Sequence, residues 1–286
     1  MSKYLLLFLS LISFCASAQR TDKKLQQKIE QTIQNFRGSI GIYVHDLKHN
    51  KTIAINADTI FPTASLVKIP ILIGVMDKLN RGELEYHQVL TYRDSLLYPG
   101  IDILGSFKDS ERIELSKVVM LMLTMSDNTA SLWLQSLAGG GFRINSILDS
   151  LDIKITRINS RTSGREADQK VYGWGQTTPR EMAGLMEKII NRKVVSDSMS
   201  GRMLRLLSRN YWDEEAISQI PPDVFVANKH GSVDDSRNEV MFVNGNSRRY
   251  VMCICTKNLS DQSWERSNEA WTLTRNISKL LWNWSR

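Results

Sequence analysis

Apolar residues recur along this chain with two different periods, and the switches between them divide it. In "DKKLQQKIEQTIQNFR", Leu25, Ile29, Ile33 and Phe36 fall on one helical stripe. The next segments, "SIGIYVHDL" and "KTIAINAD", alternate apolar and polar residues around the polar connector His49-Asn50, which predicts a β-hairpin. From Phe61 the helical period takes over. "LVKIPILIGVMDKL", "ELSKVVMLMLTM", "NTASLWLQSLA" and "FRINSILDSL" predict helices. So does "TTPREMAGLMEKIINR", with Thr178 as N-cap, Pro179 at the first helical position and Glu181 three residues after the cap. A further helix is expected over "SDSMSGRMLRLLSRN". Strand patterns return in "DVFVANKHGSV", "NEVMFVN" and "RRYVMCICT". The closing "EAWTLTRNISKLLWNW" places Ala270, Leu273, Ile277, Leu280 and Trp284 on one stripe, the pattern of a helix packed on a sheet rather than one lying on a membrane.

The order is helix, two strands, a long helical block, three strands, helix. It predicts an α+β fold in which an antiparallel sheet, assembled from both ends of the chain, is flanked by terminal helices and carries an inserted all-helical domain. The expected boundaries are 19–60 and 211–286 for the sheet domain and 61–210 for the helical one. Residues 1–18 form a separate unit. A basic Lys3, an apolar run from Tyr4 to Phe14 and the triplet Ala16-Ser17-Ala18 read as a secretory signal cleaved before Gln19. Lipid attachment through Cys15 is disfavoured by the bulky Phe14 before it. The mature protein is therefore expected to be exported, periplasmic or secreted, without stable membrane insertion.

Composition narrows the choice of partners. Of 286 residues, 42% are hydrophobic and 23% charged, an ordinary globular balance. Losing Lys3 with the leader takes the formal net charge from +7 to +6. That charge is spread along the chain, which argues for a solubilising surface and against nucleic-acid binding. A monomer is expected. Cys253 and Cys255 stand two apart on one face of a strand, where a mutual disulfide is awkward, and read as buried small hydrophobes. The histidines His45, His49, His87 and His230 show no metal-ligand spacing, so neither metal nor cofactor is expected.

The chemistry lies in three short stretches. "FPTASLVKIP" sets Ser65 three residues before Lys68 at the mouth of an apolar helical run. Residues three apart on a helix share a face. A lysine desolvated there binds its proton less tightly and can accept one from the hydroxyl. Ser-x-x-Lys alone is a common coincidence. Ser126-Asp127-Asn128 at a break between two predicted helices, and Lys229-His230-Gly231-Ser232 on a predicted strand, change that. In this order the three elements resemble the Ser-x-x-Lys, Ser-Asp-Asn, Lys-Thr-Gly signature of class A β-lactamases and penicillin-binding proteins, over nearly all the mature chain.

The resemblance implies an acyl-enzyme mechanism on β-lactam or peptidoglycan-peptide substrates. Ser65 would be the nucleophile, Lys68 its proton partner, and Ser126 the proton shuttle to the leaving nitrogen. Asn128 would bond the substrate amide, and Lys229 would place positive charge beside Ser126 and the substrate carboxylate. Gly231 would let substrate approach the strand, and the N–H groups of Ser65 and Ser232 would form the oxyanion hole. Asp127 is expected to be structural. Arg237 is either a second cation for the carboxylate or a solvated strand-end arginine.

The pattern departs from the family at two points. His230 replaces the usual hydroxyl residue, offering a larger, pH-dependent donor. The loop "INSRTSGREADQKVYGWGQTTPREM" has no Glu-x-x-Leu-Asn element, whose glutamate activates the deacylating water in class A enzymes. That glutamate's place falls near Thr162; Glu166 and Asp168, both several residues late, are either its substitutes or solvated loop charges. The expected function is an exported serine hydrolase of the class A β-lactamase type. Alternatives are a D-alanyl-D-alanine peptidase or acyl-transfer enzyme, and a slowly deacylating penicillin-binding protein.

Overall fold

The structure, a computed structural model, describes residues 19–100 and 102–284. The leader read over residues 1–18 lies outside the described residues. Helix α1, Lys23–Ile33, begins at Asp22, whose carboxylate accepts from Leu25 N. The hairpin follows as β1, Ser39–Asp46, and β2, Lys51–Ile55, with Asn50 at its turn in the left-handed region (φ 51°). The helical block contains α2 (Lys68–Asn80), α3 (Leu115–Met120), α4 (Asn128–Leu137), α5 (Gly140–Ser150), α6 (Glu166–Tyr172), α7 (Pro179–Ile190) and α8 (Asp197–Leu207). Strands β3 (Phe225–Val233), β4 (Ser236–Asn244) and β5 (Arg249–Lys257), then helix α9 (Glu269–Asn283), close the chain.

The five long strands are antiparallel in the order β2-β1-β5-β4-β3, so the last hairpin is joined to the first through β5 and β3 is an edge. Outside β2 the two-residue strand Arg20–Thr21 adds a parallel pair with Lys51 and Thr52. The predicted antiparallel sheet with terminal helices and a helical block is the architecture found.

Period-two alternation sorts the side chains between two cores. Ile42, Val44, Met241, Met252 and Ile254 pack with Leu25 and Ile29 of α1 and Leu273 and Ile277 of α9. From the opposite face Tyr43, Ala227, Val240, Phe242, Val251, Cys253 and Cys255 join the helical block. Both cysteines are free and buried, with Sγ atoms 3.7 Å apart. Helix α2 runs through this second core with every residue from Lys68 to Met76 buried. Pro70 is tolerated because it falls in the first turn, where a helix has no acceptor for the missing N–H.

Two local devices set the loop that leads to the site. Thr178 caps α7, accepting from Glu181 N at 3.1 Å. The Glu181 carboxylate reaches back to accept from the backbone N–H of Lys154, Ile155 and Thr156 and from the Thr156 hydroxyl. Helix α6 was not foreseen from the sequence. It buries none of its residues, so it carries no apolar stripe to read. Among the described residues no helix is long and apolar enough to cross a membrane.

Ile277 is fully buried between α9 and the sheet. Truncating it in Ile277→Ala is expected to destabilise the fold by about 2–5 kcal/mol through the cavity left behind, read from urea denaturation midpoints.

Candidate active site

The short strand Phe61–Pro62 turns at Thr63 and Ala64 into a 3₁₀ turn, Ala64–Val67, and only then into α2. Ser65 therefore sits on the tight turn before the α-helix rather than in its first turn. The turn is strained, since Ala64 has φ +45°, a region that costs an L-residue roughly 1–2 kcal/mol. Strand β3 lies against it. A Cβ at Gly231 would stand 2.5 Å from Ser65 N, 2.9 Å from Leu66 N and 3.0 Å from Thr63 O. The glycine is thus required by the contact of strand and turn, whatever it also allows a substrate to do.

Lys68 follows, with 0% exposure. Its Nζ donates to Ser65 Oγ (3.0 Å), Ser126 Oγ (3.0 Å) and Asn128 Oδ1 (2.9 Å), and contacts the Ser126 carbonyl. Four oxygens from two separate segments thus converge on one nitrogen. Burial pushes its pKa from 10.5 down to about 7, against the opposing pull of Asp102 and Asp127. Near neutrality a large share of the amine is unprotonated, with a lone pair 3.0 Å from a serine hydroxyl.

Ser126 ends the π-helical turn Leu121–Met125 with a left-handed backbone (φ 60°), which turns its carbonyl and hydroxyl together toward Lys68. Two carboxylates hold this corner. Asp127 caps α4, accepting from Ala130 N (2.7 Å) and Leu104 N (3.0 Å). Asp102 accepts from Asn128 N (2.9 Å) and Thr129 N (2.8 Å). Sequence reasoning assigned Asp127 its structural role and missed Asp102, which sits in an unpatterned loop.

Lys229 is also fully buried, but its Nζ donates to the neighbouring carbonyl of His230 (2.8 Å) rather than to Ser126. Burial, with the charge of Lys68 added, drives its pKa well below the ordinary value. His230 is pushed well below its own by burial and by both lysines, which makes it a neutral imidazole. Its Nδ1 meets Asn210 Nδ2 at 3.3 Å, and its ring packs edge-on against Trp212 (6.3 Å between centroids).

A cavity of about 560 Å³ opens in front of Ser65. Asn128 and Ser232 line it with Pro62, Tyr98, Tyr172, Trp174 and Lys257. Tyr98 and Trp174 meet edge to face at its mouth, centroids 5.0 Å apart. These two aromatics and Lys257 were not singled out in the sequence. The only signal for the aromatics was a large ring within two residues of a glycine in the loops "YPG" and "YGWG".

Three expected participants are placed elsewhere. Arg237 does not reach the cleft: it is 1% exposed, and its guanidinium donates to the carbonyls of Val233, Asp234, Ser236, Gln262 and Ser263. It is also stacked on Trp264 and Trp271 at 4.4 and 4.8 Å, so it is neither a second cation for substrate nor a solvated arginine. Glu166 is exposed at the start of α6, where its carboxylate accepts from Gly164 N (3.1 Å). Asp168 pairs with Arg165 at 3.1 Å. From this loop the cavity wall takes Val171, Tyr172, Gly173 and Trp174 instead. Thr162, near the place expected for a loop glutamate, is buried and donates its hydroxyl to Ser160 O (2.9 Å).

A family model described as the beta-lactamase enzyme family matches residues 24–285. Beta-lactamase VEB-1 of Pseudomonas aeruginosa is 24% identical over 238 residues, covering 80% of this chain and 79% of that protein. Among solved structures, a mutant of PBP-A in an acyl-enzyme complex with penicillin-G superposes with a TM-score of 0.81 and 26% identity, covering 92% of this chain and 97% of that one. A beta-lactamase from Chitinophaga pinensis gives a TM-score of 0.80 at 22% identity, covering 91% and 98%.

Gly231→Ala is expected to move Ser65 N, since backbone cannot yield as a flexible side chain does. Acylation of Ser65 should fall about 10²–10³-fold, the value of one oxyanion donor, while circular dichroism stays native. The rate of acylation should also rise with pH through an inflection near 7 as Lys68 loses its proton, measured by stopped-flow trapping between about pH 5 and 9.

Proposed function

The chain belongs to the beta-lactamase enzyme family, and on that premise we propose an exported serine hydrolase of the class A type that opens β-lactam rings through an acyl-enzyme on Ser65 and releases the product slowly. The observation that carries this reading is the buried Lys68 amine, 3.0 Å from both Ser65 Oγ and Ser126 Oγ.

Ser65 Oγ attacks the lactam carbonyl as Lys68 Nζ takes its proton. The developing oxyanion is met by the N–H groups of Ser65 and Ser232. As the C–N bond breaks, the proton passes through Ser126 to the leaving nitrogen, and Asn128 bonds the substrate's side-chain amide. Lys229 adds positive potential behind Ser126. Release requires a water attacking the ester, and here the site is weak. A positioned base is worth about 10²–10⁴ in rate. Glu166 faces solvent, Asp168 is tied to Arg165, and Thr162 is committed to Ser160.

That same observation favours a second reading, a D-alanyl-D-alanine peptidase or acyl-transfer enzyme, in which an amine rather than water receives the acyl group. Export rests on the leader read in the sequence.

Mixing the protein with a chromogenic cephalosporin and following intact mass should show a rapid adduct that persists, with little turnover. Ser65→Ala should form none, while Glu166→Gln and Asp168→Asn should behave as the parent. Fast steady turnover abolished by Glu166→Gln would establish a conventional lactamase cycle instead. Release of D-alanine from a cell-wall pentapeptide would select the peptidase reading.

A further inference from the structure

A second pocket, of about 200 Å³, lies against the end of α8 and is lined by Tyr86, Arg202, Arg205, Leu206 and Arg209. It shares no residue with the cavity before Ser65. Arg202 and Arg205 stand three apart on α8 and so take one face of the helix. Arg209 follows just past its end, with its N–H bonded to Leu206 O (3.2 Å). The frame around them is firm. Met203 and Leu207 anchor α8 in the core shared with α2, and Ser196 caps its start, accepting from Met199 N (3.3 Å). Tyr86 is tied through its carbonyl to Ser116 N (2.9 Å).

Elsewhere in this protein arginines face carboxylates: Arg143 meets Asp77, Arg180 meets Asp58 and Arg275 meets Glu215. The three arginines of the pocket do not. Among the described residues none of their guanidinium groups has a carboxylate within ion-pair distance or donates a hydrogen bond. The negative end of the α8 dipole favours a cation at Arg205, in the last turn, but supplies no acceptor to its side chain. Arg202 is held all the same. Its guanidinium lies over the Tyr86 ring, 4.0 Å from the centroid, a contact that orients the group without using its N–H donors. Three like charges around one hollow repel one another, and their donors are left for a ligand.

We propose that this pocket binds a phosphate monoester. A carboxylate has two oxygens, which a single guanidinium fork already meets, whereas a phosphate monoester brings three terminal oxygens and a charge of about −1.5 to −2 at pH 7. The volume exceeds what the phosphoryl group alone fills, and Tyr86 and Leu206 give the organic part an apolar wall. The site stands apart from the acyl-enzyme reading and does not rest on it.

Titration of the full chain with phenyl phosphate and with benzoate, at one ionic strength, tests this through the arginine Nε–H signals in ¹H–¹⁵N spectra. Phenyl phosphate should saturate, with shifts confined to Arg202, Arg205 and Arg209, and benzoate should bind at least about tenfold more weakly. Arg205→Gln and Arg209→Gln, both at exposed positions, should each weaken phenyl phosphate roughly tenfold and leave acylation by a cephalosporin unchanged. Arg202→Lys keeps the charge but not the planar fork, and should weaken it as well. Shifts that do not saturate, benzoate bound as tightly as phenyl phosphate, or full affinity in Arg202→Lys would each overturn the proposal, leaving only a diffuse basic surface. Two arms then identify the source of the ester. Pelleting with phosphatidylglycerol but not phosphatidylcholine vesicles, lost in Arg205→Gln, would make it a lipid headgroup; phenyl phosphate binding without pelleting would make it a soluble ester.

Discussion

Everything at the site depends on keeping an amine dry. Moving an ammonium out of water costs several kcal/mol even after relaxation, and among the described residues no carboxylate is in contact with Lys68 to offset it. What it has is four oxygens, and these come from the turn at Ser65 and from the corner at Ser126 and Asn128. The corner is in turn fixed by Asp102 and Asp127, and the turn by β3 pressed against it at Gly231. Loosening any of these lets water in and raises the proton affinity of Lys68 back toward that of an ordinary amine. The strained backbone at Ala64 and Ser126 is the local cost of the convergence.

The long apolar patterns were legible because burial writes them into the sequence. The strands at Ser39–Asp46, Phe225–Val233 and Arg249–Lys257 begin and end within about two residues of the alternating runs, since each strand has a core on both faces. Ser65 and Lys68 were legible as a pair because three-residue spacing is local geometry. Their meeting with Ser126 and Lys229 is tertiary and came only through the resemblance. α6 was invisible because it buries nothing. Arg237 was misplaced for a related reason. Alternation says which face of a strand a side chain takes, but not that Trp264 and Trp271, some thirty residues on, close over it. Asp102 and the aromatics of the cleft lie in loops, where no periodicity marks them.

Burial also sets an unusual charge balance around β3. Lys68 and Glu239 are both shifted to about 7 from opposite ordinary values, one falling and one rising, and both chiefly by desolvation. Lys229 is shifted down as well. Strand β3 thus runs beside two groups, Lys68 and Glu239, whose neutral and charged forms lie close in free energy near neutral pH, and carries a lysine that holds its proton less tightly than usual.

The edge-to-face contact of Tyr98 and Trp174 has a separate consequence for entry. It ties the segment before α3 to the segment after α6 across the rim of the cavity, and Tyr98 is itself anchored by its N–H to Thr129 of α4. Such an aromatic pair is worth about 0.5–1.5 kcal/mol beyond its buried area. Any molecule that needs the space the pair fills has to part the two rings and forfeit that contact, so the pair sets a modest energetic toll on width along this stretch of wall.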